Sequence, residues 1–182
     1  MKGHIKDYAI LAILAGMIIA LDQWTKYLVR TLIPFGKFWS PADWLTPMAR
    51  IVHWDNSGVA FGLFQGSGSV FLLLALVVAV IIIYYYPRVA SNDWILKVAL
   101  AMQLGGALGN VFDRIFFNGR VTDFISIGDF PVFNVADSSI SVGVFVLLVG
   151  VWLQERRASK TAPETPVEPV VEETAGQNET SI

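Results

Sequence analysis

Two aspartates flank the start of a strongly apolar run: Asp123 in "GRVTDFI" and Asp137 in "FNVADSSISVGVF". Brought within hydrogen-bond reach, two carboxyls cannot both ionise cheaply, so they share a proton and serve as one acid and one base. Such a dyad takes a proton from water as the water attacks a peptide carbonyl, and returns one to the departing amine. It needs neither a metal nor a covalent intermediate. A helix beginning beside Asp137 favours its ionised form, which leaves the shared proton on Asp123. The same residues have a structural reading as well. Asn134 and Asp137 are spaced as a helix cap and its third helical residue, and both then simply finish a helix N-terminus. Asp129, in "IGDFP", reads as a turn residue.

Other chemistries have little to draw on. The chain has no cysteine and only two histidines, His4 and His53, so thiolate catalysis, disulfides and multi-histidine metal sites are excluded, and no cofactor is expected. Three further polar clusters stand out. In "LDQWTKYLV", Asp22 and Lys26 lie four apart on one helix face and can neutralise each other. In "DNSGVAFG", Asn56, Gly58 and Gly62 suit a close backbone turn. In "AMQLGGALGNVFDR", Ala101, Gly105 and Gly109 form a small-residue stripe for close helix packing, and Asn110, Asp113 and Arg114 gather at its end. Taken singly, these clusters read as an interfacial ion pair, a turn, and a helix contact with a salt bridge. Two rival functions use the same residues. A proton-coupled transporter or channel needs a continuous polar path, which the second apolar run does not offer. A serine/lysine hydrolase would use Ser57 or Ser138 with Lys26 as base, but Asp22 on the same face holds Lys26 in its charged form.

The elements that must position these groups follow from composition. Of 182 residues, 54% are hydrophobic and 15% charged, and the mean hydropathy is +0.57; that is the composition of a membrane protein. Apolar runs at about 8–28, 69–86, 94–113 and 136–154 each approach the ~20 residues that cross a ~30 Å hydrocarbon core. The first could be a cleaved signal peptide, but no small-x-small cleavage site follows it. The expected fold is therefore an all-α membrane protein with four transmembrane helices. Lys2, Lys6, Arg88, Lys97, Arg156, Arg157 and Lys160 stand against Lys26, Arg30, Lys37, Arg50, Arg114 and Arg120 on the other side; the first set lies closer to span ends, while Lys37 and Arg50 are diluted in a long loop, so the expected orientation has both termini in the cytoplasm. The segments at about 29–68 and 114–135 then lie outside. The first carries Trp39, Trp44 and Trp54 and is expected to lie on the membrane surface; the second holds a small, partly extended element. Residues 1–157 form the transmembrane domain. Residues 158–182, acidic and spaced by prolines, read as a disordered tail.

Taken together and in order, "DQWTK", "NSGVAFG", "GGALGNVFDR", "VTDF" and "FNVADSS" resemble the motifs of the lipoprotein signal peptidases, bacterial signal peptidase II. The resemblance spans residues 22 to 139 and leaves out the acidic tail. It implies a multi-pass aspartic endopeptidase of the bacterial inner membrane, with its active site at the extracytoplasmic face. Such an enzyme removes the signal peptide from a prolipoprotein by cutting just before a diacylglyceryl-modified cysteine. By that resemblance Asp123 and Asp137 are the catalytic pair. Asp22, Lys26, Asn56, Gly58, Asn110, Asp113, Arg114, Asn134 and Ala136 match positions that shape and brace the site. The implied partners are the lipidated prolipoprotein and membrane lipid, with no nucleic acid, no metal and a monomeric enzyme. Val59 stands where the family often has alanine.

Overall fold

A computed structural model describes residues 2–58, 68–89 and 93–161. Four helices dominate it: α1 (Lys2–Leu32), α2 (Gly68–Tyr85), α3 (Trp94–Phe116) and α4 (Val135–Thr161). A one-turn 3-10 helix, Tyr86–Arg88, prolongs α2. All four helical stretches are long and apolar enough to cross a membrane. Three of them overrun the apolar runs in the sequence, because α-helix continues past hydrocarbon depth into polar flanks such as Lys2–Asp7 and Arg30–Leu32. Helix α4 continues to Thr161, into the first residues of the expected tail. The rest of that tail, 162–182, and Val59–Gly62 of the "DNSGVAFG" cluster lie outside the described residues.

Helix α3 is the hub. Of its apolar window 61% is buried, against 22% or less for the other three helices. Its small residues make this possible, since association inside lipid depends on close backbone approach. A Cβ on Gly105 would stand 2.8 Å from Cβ of Ile18 in α1, and one on Gly106 would strike the carbonyl of Ala136 in α4. The stripe therefore serves two neighbours: Gly105 faces α1 and Gly106 faces α4. Below it, Leu11, Ala15, Ala79, Ile82, Tyr86, Ala101 and Leu104 form the apolar core.

The helices carry a three-stranded antiparallel sheet with the order β1 (Phe38–Trp39), β2 (Ala49–Asn56), β3 (Val121–Ile127). It is built from the two segments between spans that the sequence places on the outer side. Ile51 pairs with Ile125 and Trp54 with Asp123, so Val52 and His53 together face Phe124, a bulge that bends β2. Strand β3 is nearly enclosed, with Val121 through Phe124 all buried. A 3-10 turn at Asp43–Leu45 joins β1 to β2. Trp39, Trp44 and Trp54 are each more than half exposed. Where α3 hands over to β3, Gly119 takes a left-handed conformation with φ +80°, which a side chain would strain.

Candidate active site

The end of α3, the starts of α2 and α4, and the strands β2 and β3 converge on one cavity of about 510 Å³. Asp123 and Asp137 both line it, together with Asn56, Gly58, Asn110 and Arg114. One residue links the two acids. Asn134 immediately precedes α4, and its Nδ2 donates to Asp123 Oδ1 at 2.7 Å. Its Oδ1 accepts from the backbone N–H of Asp137 at 2.9 Å, and its own backbone N–H donates to Asp137 Oδ2 at 3.2 Å. The last two bonds are the reciprocal pattern of a capping box. Asn134 thus caps α4 and bonds both acids, and among the described residues it is this amide, not a direct carboxyl–carboxyl hydrogen bond, that joins them.

Amides occupy the remaining oxygens. Asn56 Nδ2 donates to Asp123 Oδ2 at 2.9 Å, held in that orientation by the Gly58 N–H donating to Asn56 Oδ1. Asn110 Nδ2 donates to Asp137 Oδ1 at 2.8 Å. The Asn134 side chain also bonds Asn110 Oδ1 at 3.2 Å, so the amides join into a single network around the acids. Asp123 is only 2% exposed. Burial, reinforced by the charge of Asp137, pushes its carboxyl up to about 7, against the opposing hydrogen bonds from Asn56 and Asn134 and the more distant charge of Lys26.

A second layer holds this network in place. Lys26, fully buried, reaches Asp22 Oδ2 at 2.9 Å, Asp113 Oδ2 at 3.1 Å and Asn110 Oδ1 at 3.0 Å, which uses all three of its donors. Asp22 in turn accepts from the backbone N–H of Ala136 at 3.0 Å, tying α1 to the first turn of α4. Asp113 accepts from the N–H of Thr122 at 3.0 Å, tying α3 to the strand that carries Asp123. The salt bridge expected at the end of α3 is not between Asp113 and Arg114. Asp113 turns to Lys26 and to Arg30 at 3.7 Å. Arg114 instead lines the cavity, where its buried Nε has no protein partner.

The eleven positions implied by the family resemblance all lie at the cavity or in the layer around it. Two contributors were not singled out. Gln23 Nε2 donates to Asp22, Asp113 and the carbonyl of Gly109, and Arg30 Nη1 donates to Thr122 at 3.0 Å. Arg30 had a signal, since Asp22, Lys26 and Arg30 recur at four-residue steps on one helix face. Asp129 is exposed and does not line the cavity. Ser138 donates to the Asn134 carbonyl, and the contacts of Lys26 Nζ are with Asp22, Asp113 and Asn110, so the two are not directed at each other. At the other end of the bundle Lys97 pairs with Asp7 at 2.6 Å. Among the described residues, the apolar Leu11, Ala15, Ala101 and Leu104 pack between that pair and the acids.

A family model described as signal peptidase (SPase) II matches residues 14–153. The lipoprotein signal peptidase of Halalkalibacterium halodurans is 39% identical over 152 residues, covering 81% of this chain and 95% of that protein. The lipoprotein signal peptidase of Geobacillus thermodenitrificans is 40% identical over 141 residues, covering 75% and 86%. A solved structure of a bacterial membrane enzyme superposes with a TM-score of 0.73 at 27% identity, over 85% of this chain and 93% of that one.

Proposed function

Because the chain belongs to the signal peptidase II family, we propose that it removes the signal peptide from diacylglyceryl-modified prolipoproteins, cutting just before the lipidated cysteine with Asp123 and Asp137 as an aspartic dyad. The observation that carries this reading is the bridging Asn134, which holds one acid by its side chain and the other by its cap. The elevated proton affinity of Asp123 supports the division of labour: Asp123 carries the proton at rest and Asp137 is the base. As a water oxygen attacks the scissile carbonyl carbon, Asp137 takes a proton from the water and Asp123 gives its proton to the carbonyl oxygen. When the C–N bond breaks, the amine leaves with the proton from Asp137. Asp123 recovers its own as the carbonyl re-forms. The pair ends as it began, with one proton.

Arg114 is suited to bind a substrate carbonyl, since its Nε is otherwise unpartnered inside the cavity. Phe71, Phe130 and Val142 give the same cavity an apolar side for the substrate's hydrophobic residues and acyl chains. The cavity lies beside the sheet at one end of the bundle, and the lysines and arginines close to the span ends favour that end as extracytoplasmic. A lipid-anchored substrate presents its scissile bond at this depth by its own attachment. The enzyme acts as a monomer, residues 1–157 being its catalytic unit and the acidic remainder a tail.

The test is cleavage of a diacylglyceryl-modified prolipoprotein by purified protein in detergent, with the product mass read directly. Wild type and Asp129→Asn are expected to cut before the lipidated cysteine. Asp123→Asn and Asp137→Asn are expected to lose at least about 10²-fold in rate while still unfolding in a cooperative transition in detergent. Retained activity in both dyad variants would sink the assignment.

A further inference from the structure

A second pair of cavities lies away from the acids, where β1 and β2 meet the end of α1. The bulge at Val52 and His53 opens a pocket of about 350 Å³ whose polar rim is Lys37, Arg50, His53 and Ser126. No aspartate or glutamate lines it. Among the described residues neither basic side chain meets a carboxylate. Arg50 lies only over the Phe38 ring, 5.3 Å from its centroid, and the Lys37 ammonium has no partner. His53 Nδ1 stands 2.7 Å from the Ile33 carbonyl, so it carries the hydrogen and donates it, which fixes the ring at the pocket wall. Phe38 is also a wall of a neighbouring groove of about 550 Å³. That groove is lined by aliphatic and aromatic side chains and runs along Leu28 and Leu32 of α1 to Trp39 and Ile51.

From this juxtaposition we infer that the sheet carries a binding site for an anionic phospholipid: the phosphate sits between Lys37 and Arg50, and an acyl chain lies in the groove along Leu28 and Leu32. Two unpaired cations at one rim with no acid beside them call for an anion. A soluble anion has no use for the apolar groove that opens from the same wall, whereas a phospholipid fills both at once. The depth fits as well. The groove follows the last turns of a membrane-spanning helix, and Trp39 and Trp54, 57% and 53% exposed, mark the headgroup level on either side. A zwitterionic lipid brings a positive group to the same rim and gains less, so the site selects for net negative charge. This inference does not rest on the dyad, although Val132 lines both this pocket and the cavity of the acids.

The experiment is native mass spectrometry of the delipidated protein in detergent, with phosphatidylglycerol and phosphatidylcholine of identical acyl chains in competition. Wild type is expected to retain one phosphatidylglycerol with a preference of about tenfold. Lys37→Gln/Arg50→Gln is expected to bind both lipids equally, and Arg50→Lys to keep the preference. Melting in detergent checks that each variant is folded; if the double variant is not, Lys37→Gln alone is read, with a partial loss expected. Equal binding of the two lipids by wild type, or an undiminished preference in the folded glutamine variant, overturns the site. Displacement of the lipid by millimolar inorganic phosphate overturns the lipid assignment in favour of a soluble anion.

Discussion

Asn56 offers a way to move the proton on the dyad without touching either acid. Its amide donates to Asp123 Oδ2 at 2.9 Å and stabilises the charged carboxylate. In Asn56→Ala that bond is lost, while the Asn134 bond to Oδ1 remains. A hydrogen bond to a charged group is worth ~1.5–3 kcal/mol, and about 1.4 kcal/mol corresponds to one pH unit. Water entering the vacated space returns part of it, so the net movement is about one pH unit. The direction is fixed: without the donor the charged form costs more and Asp123 holds its proton to higher pH. On the proposed mechanism the proton-bearing state of the two acids is the active one, so wild-type activity is expected to decline as pH rises through about 7. In Asn56→Ala that decline moves toward about 8. The assay is kcat/KM for lipidated prolipoprotein cleavage from pH 5 to 9, which reports the free enzyme. Asn56→Asp, which adds a charge beside Asp123, moves the decline further in the same direction. An alkaline limb that stays in place or moves to lower pH would refute the assignment of that limb to Asp123.

Stability follows the same proton. The folded protein holds it on Asp123 up to about 7, whereas the unfolded chain releases it near 3.8. Between those values the unfolded state binds fewer protons, so wild type loses stability relative to Asp123→Asn as pH rises, by at most about 4 kcal/mol; thermal melts in detergent at pH 4, 6 and 8 read this. Lys26→Met leaves Asp22 buried without a cation and Asp113 with only the longer contact to Arg30, and is expected to cost ~3–5 kcal/mol, with Lys26→Met/Asp22→Asn recovering part of the loss in the same melts. Gly109→Ala puts a Cβ 2.7 Å from Asp22 Oδ2 and is expected to cost ~1–3 kcal/mol and to lower activity. Gly16→Ala, which meets nothing within 4 Å, should be neutral or slightly stabilising in the same measurements.

Much of this was legible because the physics is local. An uninterrupted apolar run can only be a buried or lipid-facing helix, and acids four residues from bases or three from a cap announce their geometry before any fold is known. The edges were less legible: a hydropathy reading ends where the hydrocarbon ends, and so Arg30 counted as a loop charge although it is in the last turn of α1. Strand β2 was missed for a different reason. In "ARIVHWDN" the bulge puts Val52 and His53 opposite one residue, which breaks the period-two alternation by which a strand is recognised. That Asn134 serves both acids was beyond the sequence, since Asp123 reaches it only through the pairing of β3 with β2 and the docking of β3 onto α3 by Asp113.

The arrangement around Lys26 also bears on how the chain enters the bilayer. Helix α1 is made first and must be inserted with Asp22 and Lys26 already in it, at a cost of ~2.5–3.5 kcal/mol for each charge if it stood alone at mid-membrane. Being one turn apart, the two can travel as a neutral couple. Asp113 arrives two helices later and finds its cation already in place. The last lock closes only when the first turn of α4 offers the Ala136 N–H to Asp22. Asn134, Ala136 and Asp137 all stand at the start of α4, so on the proposed reading the site around Asp123 is incomplete until that last span is in place.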